Sequence, residues 1–134
     1  MVKITTQVLS PEDVVNQTKT RDSGCVATYV GLIRDNSKGK EVLSVEYSDP
    51  DGTAEKGLQQ IVDDAMKQWP LKAMSICHRI GKLNVGDINL VVAVSAGHRV
   101  EGFAACQFAI DQFKDRLPTK KRETYTDGSF CGDF

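Results

Sequence analysis

Apolar side chains recur along this chain with two different periods. Between Thr53 and Trp69, the residues Leu58, Ile61, Val62, Ala65, Met66 and Trp69 fall three or four apart, which gathers them on one helical face, and Pro70 stops the pattern. A shorter helix is expected after Ser10-Pro11-Glu12-Asp13, where serine caps, proline takes the first helical position and acids fill the first turn; it fades between Thr18 and Asp22. A third helix runs from about Val100 to Arg116, with Phe103, Cys106, Ile110, Phe113 and Leu117 forming an apolar stripe and Lys114 at its edge. Elsewhere the pattern is that of strands. Gly24 to Ile33 is rich in β-branched and apolar residues and leads into the polar stretch Arg34 to Lys40, expected to be a mobile loop. Val42 to Tyr47 alternates, with Leu43, Val45 and Tyr47 on one face, until Asp49-Pro50-Asp51-Gly52 breaks it. Ala73 to Ile80 and Asp87 to Ser95 are two further strands, joined by a Gly81 to Gly86 connection that reverses the chain. Pro118 ends the last helix, so Thr119 to Glu123 continues as an extended segment beside it.

Strands and helices alternate, yet the Val42 and Asp87 strands have neighbours within hairpin range. The expected class is therefore α+β: a mixed, mainly antiparallel sheet with flanking helices, in one domain spanning 1–134. A chain of 134 residues is long enough to bury a core without staples.

Composition narrows the partners. Seventeen Lys and Arg against eighteen Asp and Glu give a net charge of -1, which argues against a general nucleic-acid binder but is compatible with a small anionic ligand. Cys25, Cys77, Cys106 and Cys131 are widely spaced, with no Cys-x-x-Cys pair, and read as reduced thiols rather than metal ligands or disulfides. The N-terminus has no signal-peptide core and no apolar run approaches a membrane span, so a cytoplasmic protein that does not engage a membrane is expected. Glycine loops lack both Walker and dinucleotide spacings, and no Ser-His-Asp order or metal-ligand set stands out.

What remains is a concentration of cations in the last third of the chain. His98 and Arg99 fall at a helix N-terminus, where free N–H groups and a guanidinium that grips phosphate or carboxylate bidentately make an anion pocket. Lys114, beside apolar packing and near other cations, is desolvated and repelled, which suits an amine to acid/base or nucleophilic work; the plainer reading is a lysine whose stem snorkels along the helix. The extended segment after Pro118 brings Lys121 toward the same cleft, and Arg34 sits at a strand end, where ligand-contacting residues are common. His78-Arg79, flanked by Ile76 and Ile80, reads mainly as structural.

Taken in order, YVGLIRD, WPLKAMSICHRIGKLNVGD, HRVEGFAACQFAIDQFKDRLPTKKRE and TDGS resemble the large, catalytic subunit of molybdopterin synthase over nearly the whole chain. The resemblance implies an α/β hammerhead-type fold. It also implies a homodimer of large subunits, with a small ubiquitin-like sulfur-carrier subunit docked at each end of a heterotetramer. In that family the carrier's C-terminal Gly-Gly thiocarboxylate gives sulfur to cyclic pyranopterin monophosphate, and two transfers make the molybdopterin dithiolene, with no cofactor beyond that substrate. Carried over by motif, Lys114 and Lys121 are the catalytic residues. Arg34, His98 and Arg99 hold the pterin phosphate, and Leu32, Ile33, Arg122 and Glu123 line the site, some of them across the dimer. The chain departs from the family where Thr119-Lys120 replaces the usual large apolar and aromatic pair, where Cys131 replaces a usual tryptophan, and where it stops at Phe134 short of a polar tail. Two other classes fit the cations less fully: a non-catalytic module for a phosphorylated metabolite or a ubiquitin-like tail, and an RNA-binding module, which the charge balance disfavours.

Overall fold

The structure, a computed structural model, describes residues 1–132, so the expected chain end at Phe134 lies outside the described residues. Its elements run β1 (Val2–Thr5), α1 (Pro11–Thr18), β2 (Cys25–Leu32), β3 (Asn36–Ser37), β4 (Lys40–Ser48), α2 (Ala54–Gln68), β5 (Leu71–Arg79), β6 (Gly81–Asn84), β7 (Ile88–Ala96), α3 (Arg99–Asp115), β8 (Lys120–Tyr125) and β9 (Phe130–Gly132). The class is α+β, but the strands divide into two sheets rather than one. The first has the order β1-β5-β7-β2, parallel between β1 and β5 and antiparallel elsewhere; the second is antiparallel, β3-β4-β8-β9, with β6 also paired to β4. No helix among the described residues is long and apolar enough to cross a membrane.

Capping chemistry sets the helix starts. The Ser10 hydroxyl accepts from the Asp13 N–H at 3.3 Å, and the Asp49 carboxylate accepts from Thr53 and Ala54 at 3.1 and 3.2 Å, satisfying N–H groups that have no partner inside their helices. Strand β7 is buried on both faces. Leu90, Val92 and Val94 join Leu58, Ile61, Met74, Ile76 and Phe113 in the main core under α2 and α3, while Val91 and Ala93 meet Leu9, Val14 and Cys77 on the side that α1 covers. A second core, Ile33, Val42, Val45, Tyr47, Leu83 and Tyr125, sits in the other sheet, and Leu117 packs against both.

Three expectations are corrected. Alternation in β4 does not hold throughout: the register shifts between Val42 and Ser44, so Val42, Val45 and Tyr47 point inward and Leu43 is exposed, because a bulge's extra residue flips the faces beyond it. The stretch Arg34 to Lys40 is more than a loop, since Asn36 and Ser37 pair with Glu41 and Lys40 around a two-residue turn. Lys38 and Gly39 both have positive φ there, which matches the twist of a hairpin. Gly81 to Asn84, read as part of a connection, is strand β6, and the chain reverses only after it.

Helix α3 also differs in detail. Its buried side is Gly102, Ala105, Cys106, Ala109 and Phe113, whereas Phe103 is 64% exposed. Gly102 explains the rotation: a Cβ there would stand 3.3 Å from Cys25 Sγ and 3.6 Å from the Ala96 Cβ, so its bare backbone lets the helix lie close on β2 and β7.

Candidate active site

The seam between the two cores opens as a cleft of about 540 Å³, and each wall comes from a different element. Tyr29 and Leu32 end β2, Ile33 and Arg34 follow it, Asn36 and Ser37 form β3, and Val42, Val45 and Tyr47 line the β4 side. Asn89 comes from β7, Phe113 and Lys114 from the last turn of α3, Leu117 from the turn after it, and Lys121 and Glu123 from β8.

Local sequence brings the two lysines here. Lys114 occupies the last turn of α3, where the helix dipole favours a cation. Pro118 then breaks the helix, and the chain returns as β8, in which Lys121 pairs with Tyr47 and Glu123 with Val45. Residues two apart on a strand share a face, so Lys121 and Glu123 enter the cleft while Arg122 turns away to stack its guanidinium 3.9 Å from the Phe130 ring.

The cleft holds three cations, Arg34, Lys114 and Lys121, against one carboxylate. Glu123 accepts from the Tyr125 hydroxyl at 2.9 Å and lies 3.5 Å from Lys121 Nζ. Burial alone would raise the Glu123 pKa, but hydrogen bonds from Tyr125 and Ser37 and the Lys121 charge outweigh it and hold the carboxyl below its ordinary value. Among the described residues no carboxylate lies within ion-pair distance of Arg34 or Lys114. An anion entering this space meets uncompensated positive charge.

The floor beneath the lysines is polar and closely packed. His78 is fully buried, with Nδ1 2.8 Å from the Asn89 carbonyl and Nε2 3.0 Å from Thr119 Oγ1. Its ring stands edge-on to Tyr47 and Phe113, at centroid distances of 4.7 and 4.9 Å. Asn89 Nδ2 donates to the Tyr47 hydroxyl at 2.9 Å, and its Oδ1 is buried without a partner. Burial pushes the His78 pKa down to about 4 and raises that of Tyr47.

Of the residues singled out from sequence, Lys114, Lys121, Arg34, Leu32, Ile33 and Glu123 line this one cleft. His98 and Arg99 do not. They stand exposed at the opposite end of α3, where the Glu101 carboxylate accepts from the His98 N–H at 3.2 Å. Fifteen residues of helix separate Arg99 from Lys114, which at the rise of an α-helix is about 22 Å. Arg122 lies on the far face of β8. Sequence reasoning missed Tyr29, Asn36, Ser37, Tyr47, Asn89 and Phe113 as cleft residues; the one available signal was Asn89, a polar residue inside an apolar strand run.

Comparison with known proteins decides what this geometry belongs to. The family model described as MoaE protein matches residues 4–116, a span that takes in Arg34, His98, Arg99 and Lys114 and ends before Lys121. The chain belongs to the MoaE family. A molybdopterin synthase catalytic subunit from Thermoplasma volcanium is 32% identical over 128 residues, covering 96% of this chain and 93% of that relative. The crystal structure of molybdopterin synthase from Staphylococcus aureus superposes with a TM-score of 0.88 at 34% identity, covering 97% and 96% of the two chains. A protein–protein complex of subunits 1 and 2 of the molybdopterin-converting factor from Helicobacter pylori contains the same fold, with a TM-score of 0.77 at 12% identity. This MoaE chain thus places its two motif lysines, seven residues apart in sequence, on two elements that face one cleft.

Proposed function

We propose that the chain is the catalytic subunit of a molybdopterin synthase and that the cleft transfers sulfur to cyclic pyranopterin monophosphate. The donor is the C-terminal Gly-Gly thiocarboxylate of a small ubiquitin-like carrier subunit. The observation that carries this is the convergence of Lys114, Lys121 and Arg34 on one cationic cleft in a member of the MoaE family. Substrate phosphate and carrier thiocarboxylate are both anions, and fixed cations in a partly desolvated space stabilise them and the charge that develops as sulfur attacks. Lys114 and Lys121 act at the reacting centre, by proton transfer, charge stabilisation or a transient covalent adduct, and Arg34 grips the phosphate. Leu32 and Ile33 supply apolar wall, and Glu123 orients Lys121.

The same reading takes the working form as a homodimer of this chain within a heterotetramer. His98 and Arg99, about 22 Å along α3 from Lys114, serve the second copy's cleft rather than their own. Arg122 serves the rim beside Phe130. The pyranopterin is substrate, no cofactor is assigned, and the setting is the cytoplasm.

Single-turnover conversion of cyclic pyranopterin monophosphate by the purified chain with a thiocarboxylated carrier tests this. Lys114→Ala and Lys121→Ala should each slow the reaction by about 10²- to 10⁴-fold, the usual contribution of a positioned acid or base, with carrier binding little changed. Full activity in both variants would remove the assignment, and tight carrier binding without product would mark a binding subunit instead.

A further inference from the structure

His78 touches three elements around the cleft and the turn that precedes β8, and three of its four contacts are to residues that line the cleft. Through Phe113 it reaches the residue before Lys114; through Tyr47, the β4 residue whose register partner is Lys121. Asn89 lines the cleft from β7. The fourth contact is Thr119, two residues before Lys121. Thr119 is 93% buried, since only 7% of it is exposed, and it follows Pro118 at the point where the chain turns from α3 into β8.

Donor and acceptor roles follow from chemistry. A backbone carbonyl only accepts, so the His78 nitrogen facing the Asn89 carbonyl, Nδ1, carries the proton. Nε2 is then a lone-pair acceptor, and the Thr119 hydroxyl donates to it. The bond is directional, lies in a dry interior and replaces contacts that an apolar side chain would make without direction.

We infer that the Thr119–His78 hydrogen bond is a positioning device, which fixes the start of β8 and thereby the approach of Lys121 to the cleft that Lys114 enters from α3. Thr119 touches no reacting atom. It sets where a lysine stands, and misplacing a reacting group by about 1 Å can cost about 10²-fold in rate. The inference rests on the sulfur-transfer reading of the cleft.

The test compares Thr119→Val, which keeps the shape and removes the hydroxyl, with Thr119→Ser, which keeps the hydroxyl, each assembled with the thiocarboxylated carrier. Lys121→Ala and the unaltered chain run beside them. For Thr119→Val, kcat should fall about 10- to 100-fold at a temperature where the variant is fully folded, with the KM for cyclic pyranopterin monophosphate and the carrier affinity within about twofold. Thr119→Ser should stay within about threefold of the unaltered chain. Crystal structures of both variants give a readout independent of turnover: the start of β8 and the Lys121 amine should move in Thr119→Val and hold in Thr119→Ser. An unmoved Lys121 in Thr119→Val, an unaltered kcat, or a Thr119→Ser as slow as Thr119→Val would overturn the inference. Absence of product from the unaltered chain despite carrier binding would instead overturn the sulfur-transfer reading, leaving the crystallographic result to decide the positioning role by itself, and a Lys121→Ala variant as active as the unaltered chain would remove Lys121 from the reacting centre.

Discussion

Acid should destabilise this protein through one imidazole before most carboxylates titrate. His78 is fully buried, and desolvation lowers its pKa from 6.5 to about 4, against smaller opposing contributions from the Asn89 carbonyl and Asp49. At about 1.4 kcal/mol per tenfold change in proton affinity, that difference corresponds to about 3 kcal/mol. The sign follows from proton counting. Above pH 6.5 the ring is neutral in both states and the full stability is present; as pH falls from there toward 4, the unfolded chain takes up a proton that the folded chain refuses, and stability drops. About 3 kcal/mol is a large share of the 5–15 kcal/mol typical of a domain. Urea midpoints at pH 7, 5.5 and 4.5 measure it, read against His78→Gln so that carboxylates common to both, among them Glu123, Asp22 and Asp127, cancel. Chemical shifts of the two histidines, recorded across the same pH range, assign the titration to a residue. A His78 ring that titrates near 6.5 in the folded protein, or parallel loss of stability in both chains, would refute the reasoning.

Other outcomes follow from the same geometry. Gly31→Ala would set a Cβ 2.7 Å from Asn89 Oδ1 and 3.1 Å from Tyr29, so Asn89 must leave Tyr47; turnover should fall about tenfold and stability by about 1–3 kcal/mol, read by single-turnover kinetics and urea unfolding. Thiol labelling at pH 8 should modify exposed Cys131 first and leave Cys106 and Cys77 protected until the chain unfolds, because burial pushes Cys106 up to about 11 and raises Cys77 as well; mass spectrometry of labelled peptides reads the order. If Arg99 serves the second copy's cleft, Arg99→Ala and Lys114→Ala are each inactive alone, but randomly mixed dimers recover about a quarter of full activity, since half are mixed and each mixed dimer holds one intact site. Absence of recovery in a confirmed mixed dimer would return Arg99 to a local role.

Much of the fold was legible because local rules and burial agree. The Leu58, Ile61, Val62, Ala65 stripe of α2 is buried as its spacing requires, and Pro118 breaks the last helix where proline must. What the sequence hid came from tertiary contacts. A bulge at Val42 to Ser44 reversed the exposure of Leu43, Gly102 rotated α3 so that Phe103 faces outward, and Gly81 to Asn84 became a strand only because β4 offered it an edge. The separation of His98 and Arg99 from Lys114 within one chain was legible in another way, because the length of the intervening helix can be read directly from the sequence.

The location of the cleft explains why its chemistry needs two sheets. Either sheet alone presents one lysine: α3, lying on the first, carries Lys114, and β8, within the second, carries Lys121. Their convergence depends on the few residues from Leu117 to Lys120 and on how firmly the seam beneath them is held. Leu117 bridges the two cores by packing, which resists separation but tolerates sliding; the His78 hydrogen bonds add direction, which resists sliding. On the proposed reading the site brings a phosphate, a thiocarboxylate tail and two amines together and gains from rigidity at that seam, since each cation is effective only while its neighbours are fixed against their mutual repulsion.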